Sequence, residues 1–479
     1  MASKKTLTWP LIAVSLLVGC KSAHKVHDPE YAQVAYDVQQ AWHTDEPAED
    51  AVNPVFHELA DPQPVEAFIN FALSQNAGVQ AARKSMEAAA MRVPQAASLK
   101  DPMLSVSGWP FYPYVPQTAA GRVTAEAMVS QEVPWFGKLK AQAEAAEAEV
   151  NMARAQLATA ELEVIEQVSR GYYQLYFVEQ SIQITEQNRN LLADILQIAD
   201  ARYRTGTTSQ QDVLRLQAEL STIDSDIVRL RQELDSARAE LAQLLHVSPE
   251  TPFETTRQLD AQDVPRDLDR LYKQAIAARP ELHEQLAAIE RDRFKVERAQ
   301  LEYFPDLTFG AQWGEMTRNR ALAGSADGLD MVGLNVSGNL PVYRNKISAG
   351  VREAEAQVVA SARQYDQMRD QTLRDVKNLF AQVKSQQEMA QLFRESIIPK
   401  TQQALDVAIR EYQVGTTEFV QMIDNWRELL RFQIMHQQLE AQLRQSLASL
   451  ERVVGGFTVF SVEAIPVPDN NPDPLPAPP

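Results

Sequence analysis

Two stretches of this sequence are near copies of each other: YRTGTTSQQDVL at residues 203–214 and YQVGTTEFVQMI at residues 412–423. In both, a tyrosine stands three residues before Gly-Thr-Thr, and the two tyrosines lie 209 positions apart. Each copy interrupts a long helical pattern. A glycine that ends one helix shortly before another begins is typical of a tight turn between helices. The repeat therefore predicts two helical hairpins in one chain.

The two turns belong to a larger duplication. EVPWFGKLKAQAEAAEAEV from Glu132 resembles NLPVYRNKISAGVREAEAQV from Asn339, and DPMLSVSGW from Asp101 resembles FPDLTFGAQW from Phe304. Matches kept in the same order predict two structural repeats, at residues 65–262 and 263–456. Each repeat reads as a first helix, two strands and a long helical hairpin. The strands are predicted at about 102–112, 122–133, 305–316 and 329–341, and the hairpins at 138–247 and 345–454.

The predicted strands alternate apolar and polar residues. In the second of them, one face is predicted to carry Val123, Ala125, Ala127 and Val129. This period of two fits a half-buried soluble sheet and also a membrane barrel with an apolar exterior. Aromatic residues at the strand ends favour the membrane, for example Trp109, Phe111, Tyr112, Tyr114, Trp135, Phe136, Tyr303, Phe304 and Tyr343. Four strands cannot enclose a lumen, so a membrane barrel would have to be shared among subunits.

The hairpins show coiled-coil spacing. Steps of three and four residues join Val213, Leu216, Leu220, Ile223, Ile227, Leu230, Leu234, Ala237, Leu241 and Leu244. A second seam carries Leu439, Leu443, Leu450 and Val453. Pro399 predicts a kink or a join between two stacked helices. An ordinary filamentous coiled coil fits the helices but leaves the strands unexplained.

The ends of the chain carry separate signals. Lys4 and Lys5 precede an apolar stretch that ends at Cys20, the single cysteine, which predicts a signal peptide at residues 1–19. Residues 17–20, Leu-Val-Gly-Cys, resemble the bacterial lipobox, and this resemblance implies lipidation of Cys20 and an outer-membrane location. Residues 20–64 are predicted to be an extended lead, and residues 457–479 a proline-rich tail.

Composition limits the classes of function. The 479 residues carry a net charge of −18, which argues against nucleic-acid binding and disfavours general attraction to anionic lipid. We find no catalytic constellation: the zinc-protease-like HEQLA at His283 has Ala287 where a second histidine is needed, and no phosphate-binding loop is present. We therefore expect a protein that is not an enzyme and that has no cofactor or metal site; metal binding by His24, His27 and Asp28 in the N-terminal lead is the less favoured alternative.

The order of parts resembles the TolC family of outer-membrane efflux channels, over about residues 65–454. Its marks here are the paired Tyr-x-x-Gly-Thr turns and the run QEVPWFGKL at residues 131–139. The resemblance implies a mainly α fold with a small β part, in which three chains share a twelve-stranded outer-membrane barrel and a helical periplasmic tunnel. It also implies two partners, a periplasmic adaptor and an inner-membrane pump, the latter predicted to be of the resistance-nodulation-division type.

The same resemblance assigns roles to individual residues. The adaptor would dock at the hairpin tips, formed by Gly206, Thr207, Thr208, Gly415, Thr416 and Thr417. The tunnel would narrow near Asp212, Glu418, Gln421 and Asp424. Relatives have an acid where Gln421 stands and a basic residue where Thr417 stands, so a different latch is expected here. A threonine in such a turn can also cap the helix that follows it.

The sequence alone does not decide which substrate the channel exports. The QEVPWFGKL run is similar to members that export heavy-metal cations, and the acidic balance agrees with a cation pathway. Drug efflux and type I secretion use the same kind of conduit. A periplasmic coiled-coil lipoprotein without a pore is the alternative from another class.

Overall fold

The computed structural model of this chain describes residues 28, 30–43, 61–109, 115–257, 259 and 264–456. It contains two compact units, Met1–Pro54 and Val55–Pro479. In the first unit, helix α1 spans Tyr31–His43, where the sequence predicts an extended lead. The helix forms because residues 31–43 contain neither proline nor glycine. The predicted signal peptide, Cys20, His24, His27, the proline-rich tail and three of the strand-end aromatics lie outside the described residues.

The second unit repeats one order of elements twice. In chain order the elements are α2 Val65–Gln75, α3 Ala77–Ala90, α4 Arg92–Ala97, β1 Met103–Gly108, β2 Arg122–Val133, α5 Lys138–Arg204, α6 Gln210–Leu245, α7 Leu268–Ala278, α8 Pro280–Leu301, β3 Leu307–Thr317, β4 Met331–Gly338, α9 Arg344–Leu392, a π-helix Phe393–Ile397, α10 Ile398–Val414 and α11 Phe419–Val454. The predicted strands and hairpins are present, with ends that differ by a few residues.

The first helix of each repeat is broken. Asn76 separates α2 from α3 because its side-chain Oδ1 accepts hydrogen bonds from the backbone N–H groups of Gly78 and Val79, at 2.9 and 3.2 Å. In the second repeat, α7 ends before Arg279 and α8 begins at Pro280. A residue before proline is driven out of the helical conformation, so the predicted single helix becomes two.

The four strands form one antiparallel sheet in the order β1-β2-β3-β4. Its register places Val106 opposite Ala127 and Ala127 opposite Trp313. Partners in register point to the same side, so one face of the sheet is apolar. Much of this face is exposed, including Leu104, Val106, Val129, Phe309, Val332, Leu334 and Val336. Within the described residues, the outer edges of β1 and β4 pair with no other strand.

A β-bulge corrects the predicted face of β2. Val123 pairs with Met316 and Ala125 with Glu315, which leaves Thr124 outside the register. Val123 therefore lies on the polar face beside Met316, where both side chains are buried. The alternation along the sequence predicts Val123 and Ala125 on the same face, because the extra residue of a bulge cannot be recognised from the alternation of apolar and polar residues alone.

The long helices form the two hairpins. At 67 residues, α5 is about 100 Å long. The seam predicted along α6 is confirmed, since its residues are buried or packed against the core. Directly before Pro399, the π-helix separates α9 from α10. Because proline cannot donate to the preceding turn, this wider turn forms the predicted join.

Three apolar clusters hold these elements together. The first packs α2 against α5 and α6 around Phe68 and Tyr172. The second, around Leu216 and Trp426, lies beside the two Gly-Thr-Thr turns and draws on all four hairpin helices that meet there. The third packs α7 against α9 and α11. The second cluster therefore fixes the two turns beside each other.

Candidate functional site

The first turn joins α5 to α6. Gly206 has a φ of +73°, in the left-handed region that favours glycine. The N–H of Thr207 donates to the carbonyl oxygen of Arg202 at 2.9 Å, which closes the end of α5. Gly206 and Thr207 are exposed, and Thr208 is half-buried. The turn thus presents backbone and small polar groups at the tip of the hairpin.

The second turn joins α10 to α11 with the same geometry. Gly415 has a φ of +86°, and its N–H donates to the carbonyl oxygen of Glu411 at 2.9 Å. Thr417 adds a contact that the first turn lacks, since its Oγ1 donates to the Glu411 carboxylate at 2.8 Å. Gly415 and Thr416 are exposed, as at the first tip.

The first threonine of each turn acts on the preceding helix, whereas Thr208 donates to the side chain of Asp212 on α6 without capping the helix backbone. Thr207 Oγ1 donates to the carbonyl oxygen of Arg202 at 3.0 Å, and Thr416 Oγ1 donates to that of Glu411 at 3.2 Å. Helix α6 is capped instead by the side chain of Ser209. Threonine does not form its possible cap on the next helix, because a left-handed glycine folds the next residue back onto the last carbonyls of the preceding helix.

Arg202 connects the two turns. Its guanidinium lies over the ring of Tyr412, with Cζ 4.6 Å from the ring centroid, and Nη2 donates to the carbonyl oxygen of Thr207 at 3.2 Å. A Cβ at Gly415 would lie 3.2 Å from the same Nη2, so the glycine also makes room for this cation. The tyrosines of the two copies differ as a result: Tyr412 is 3% exposed and Tyr203 is 42% exposed.

Two of the predicted constriction residues already have partners. Asp212 Oδ2 accepts a hydrogen bond from Thr208 Oγ1 at 2.6 Å, beside the Tyr412 hydroxyl. Asp424 lies 3.5 Å from the guanidinium of Arg427. The same guanidinium donates two hydrogen bonds to Glu219, at 3.0 and 2.7 Å, and these raise the pKa of Arg427. A cation therefore offsets part of the negative charge of Asp424.

The other two predicted residues differ in charge and pairing. Glu418 is exposed and, in the part of the chain that is described, forms no ion pair. Gln421 is exposed and donates to Asn425 at 3.3 Å. Among the predicted acids at this end, Asp424 has a cationic partner, whereas Glu418 and Asp212 form no ion pair within the described residues.

Sequence reasoning missed Arg202, Glu219 and Arg427. Arg202 and Tyr412 are 210 positions apart, and so they come into contact only when the hairpins pack.

Across the described residues, no cluster of three or more His, Cys, Asp or Glu side chains could hold a metal ion. None of the described helices has both the length and the apolar character needed to cross a membrane.

Comparisons with known proteins agree with this architecture. The cobalt-zinc-cadmium resistance protein CzcC of Cupriavidus metallidurans is 24% identical over 406 residues, which cover 84% of this chain and 92% of that protein. The structure of CusC matches with a TM-score of 0.71 at 18% identity, over 83% of this chain and 94% of that one. The Campylobacter jejuni CmeC outer membrane channel matches with a TM-score of 0.68 at 14% identity, over 86% and 90%.

The structural matches at these identities establish the fold. The sequence profile of the outer membrane efflux protein family matches residues 68–246 and 271–456. These two segments correspond to the two repeats, and together they cover most of the chain. The chain therefore belongs to the outer membrane efflux protein family.

Proposed function

We propose that this protein is the outer-membrane conduit of a tripartite efflux system. Three copies would share one twelve-stranded barrel and one helical periplasmic tunnel. The conduit is passive: an inner-membrane pump supplies the energy, and a periplasmic adaptor connects the two. We also propose that an acyl chain on Cys20 anchors each copy in the outer membrane.

The observation that carries this proposal is the four-stranded sheet. Its apolar face is exposed, with Leu334 at 86% and Val332 at 77%, and the described residues offer nothing to cover it. Within the described part of the chain, both of its outer edges pair with no other strand, and each unpaired backbone group costs several kcal/mol in lipid. Lipid against the apolar face and neighbouring copies along both edges would satisfy these requirements together.

The two Gly-Thr-Thr turns suit a docking role at the far end of the hairpins. Each turn is held rigidly by hydrogen bonds to the helix before it, and its glycine and threonines project from the helix end. Six such tips around a trimer would offer the adaptor a ring of backbone and hydroxyl groups. We propose that Gly206, Thr207, Thr208, Gly415, Thr416 and Thr417 make this contact.

Heavy-metal cations are the proposed cargo. The sequence relative CzcC is named for cobalt, zinc and cadmium resistance, and it matches over 92% of its own length. In this chain, Glu418 would place three uncompensated carboxylates near the proposed constriction of a trimer, with Asp212, Gln421 and Asp424 close by. Rings of carboxylates attract cations. A pump of the resistance-nodulation-division type is the proposed inner-membrane partner.

Planar-bilayer recording of the purified protein tests the conduit. We expect step-like conductance from a trimer extracted in detergent. A water-soluble monomer that never conducts, after removal of the lipid anchor, would refute the proposal and favour a coiled-coil scaffold. Zinc, cobalt or cadmium accumulation in cells lacking the gene tests the cargo. Unchanged metal tolerance together with greater drug sensitivity would assign the channel to drug efflux.

A further inference from the structure

The two repeats differ at the junction between a strand and the long helix that follows it, β2–α5 in the first repeat and β4–α9 in the second. In the first repeat, the cationic side chain at this junction is buried and forms ion pairs within the chain. Lys138 is 5% exposed, and its Nζ lies 2.9 and 3.1 Å from the two carboxylate oxygens of Asp306 and 3.4 Å from Glu302. Two residues on, Lys140 is exposed and lies 3.5 Å from Glu144. Both lysines thus have carboxylate partners within the chain.

In the second repeat, the cations at the matching place have no such partners. Arg344 and Lys346, in the first turn of α9, are exposed, and no ion pair to either occurs among the described residues. With Val342, Tyr343 and Asn345 they line a shallow recess that is largely open to solvent. The recess therefore has two unneutralised cations in its wall.

This recess continues the exposed apolar face of the sheet. Beyond β4, Leu340 is 78%, Val342 66% and Tyr343 78% exposed. The chain thus passes from apolar strand, through an aromatic residue, to two cations within a few residues. This order of side chains matches the layers of a bilayer: apolar side chains suit the hydrocarbon core, tyrosine suits the interface, and basic side chains suit the headgroups.

We propose that Arg344 and Lys346 bind the phosphate of an anionic glycerophospholipid, while Val342 and Tyr343 contact its glycerol and upper acyl region. The inference rests on the proposed function, in which the sheet lies in the outer membrane and α9 extends into the periplasm. The ligand then comes from the periplasm-facing leaflet. One site per copy gives three around the channel.

The apolar neighbours distinguish a lipid from other sources of negative charge. Free phosphate would gain nothing from the exposed Val342 and Tyr343. The net charge of −18 repels anions from most of the surface, so attraction must be local. A phospholipid satisfies both the charge and the apolar surface of the recess.

The test compares wild type with the double variant Arg344→Gln, Lys346→Gln. Each protein is purified in detergent, exposed to mixed phosphatidylglycerol and phosphatidylcholine, and examined by native mass spectrometry for retained lipid. We expect wild type to retain phosphatidylglycerol preferentially. Affinity should fall about 5-fold for the loss of one cation and about 30-fold for the loss of both. Added salt should weaken wild-type retention, since the attraction is electrostatic.

A matched control removes two cations that already have partners. Lys100 lies 3.0 Å from Glu132, and Lys140 pairs with Glu144, so Lys100→Gln with Lys140→Gln makes the same change in charge at the sheet ends. This control should retain phosphatidylglycerol nearly as wild type does. Equal loss in control and test variants would overturn the inference, as would displacement of the lipid by millimolar inorganic phosphate.

Bilayer conductance of the same preparations separates this inference from the proposed function. A test variant that conducts normally but loses lipid preference supports both. Normal conductance by all variants, with no phosphatidylglycerol preference in wild type, overturns the lipid site alone. Absence of conductance in wild type overturns the proposed function. Loss of the trimer in the test variant only, with lipid preference unchanged, would assign the two cations to a subunit contact.

Discussion

The contact between the two turns can be tested through Arg202. Replacing it with methionine keeps an unbranched apolar stem but removes the guanidinium that lies over Tyr412 and bonds to Thr207. A partly exposed cation–π contact contributes about 0.5–1 kcal/mol, and a hydrogen bond from a charged group about 1.5–3 kcal/mol. Allowing for solvent, we expect the variant to weaken the packing of the turns by about 2 kcal/mol.

Hydrogen exchange followed by mass spectrometry measures this loss. The amides of Thr207 and Gly415 are bonded at 2.9 Å in the closed turns and exchange when the turns open. A loss of about 2 kcal/mol should speed exchange about 30-fold in peptides from the first turn, and loss of the cation–π contact, about 0.5–1 kcal/mol, should speed it about 2- to 5-fold in peptides from the second. Arg204→Met is the matched control, because the ion pair that Arg204 forms among the described residues is with Asp200 on its own helix. If exchange at the second turn stayed at the wild-type rate in the Arg202 variant, the proposed link between the turns would be wrong.

Three further predictions concern charge, membrane insertion and acid stability. Glu418→Gln should lower the cation preference of single-channel currents more than Asp424→Asn, because Arg427 offsets Asp424; equal effects would contradict this ranking. Leu334→Arg on the apolar face should reduce membrane insertion by about 2–4 kcal/mol, measured by heat-resistant folding in vesicles, whereas Ser337→Arg on the polar face should insert normally. Asp292→Asn should destabilise the protein by about 3 kcal/mol in thermal unfolding at neutral pH and flatten its loss of stability in acid.

The acid prediction follows from the surroundings of Asp292, whose side chain is buried on α8. Burial raises its pKa, but hydrogen bonds from Arg291 and Ser361 outweigh this and hold the pKa below its ordinary 3.8. A lowered pKa stabilises the folded state above the ordinary value, and this stabilisation is lost as the pH falls through the folded-state pKa. Wild-type melting temperatures should therefore drop toward the variant's as the buffer becomes strongly acidic.

Local features of this fold could be predicted from sequence because each has a local physical cause. A left-handed glycine marked both turns, and the three-and-four spacing marked the seam of α6. Pro399 marked the join, although the π-helix that forms it is not specified by any residue type. Prolines on both sides of Tyr31–His43 favour an extended lead, whereas the run itself contains none and is helical.

Features that depend on distant residues could not be predicted in this way. The bulge at Thr124 arises from the register with β3, almost two hundred positions away. The partners of the turn residues are equally remote, since Arg202 meets Tyr412 and Arg427 meets Glu219 only after the hairpins pack. Family resemblance supplied candidate positions for the site, but not which acids keep their charge uncompensated.

The unpaired edges of β1 and β4 also bear on the order of events in biogenesis. A single newly secreted chain cannot complete its backbone hydrogen bonds inside a bilayer, and an exposed edge strand readily pairs with the wrong partner. Insertion and assembly should therefore occur as one concerted event whose rate rises steeply with the local concentration of chains. An acyl tether at the N-terminus would confine the chains to two dimensions, raising that concentration before any strand enters the lipid.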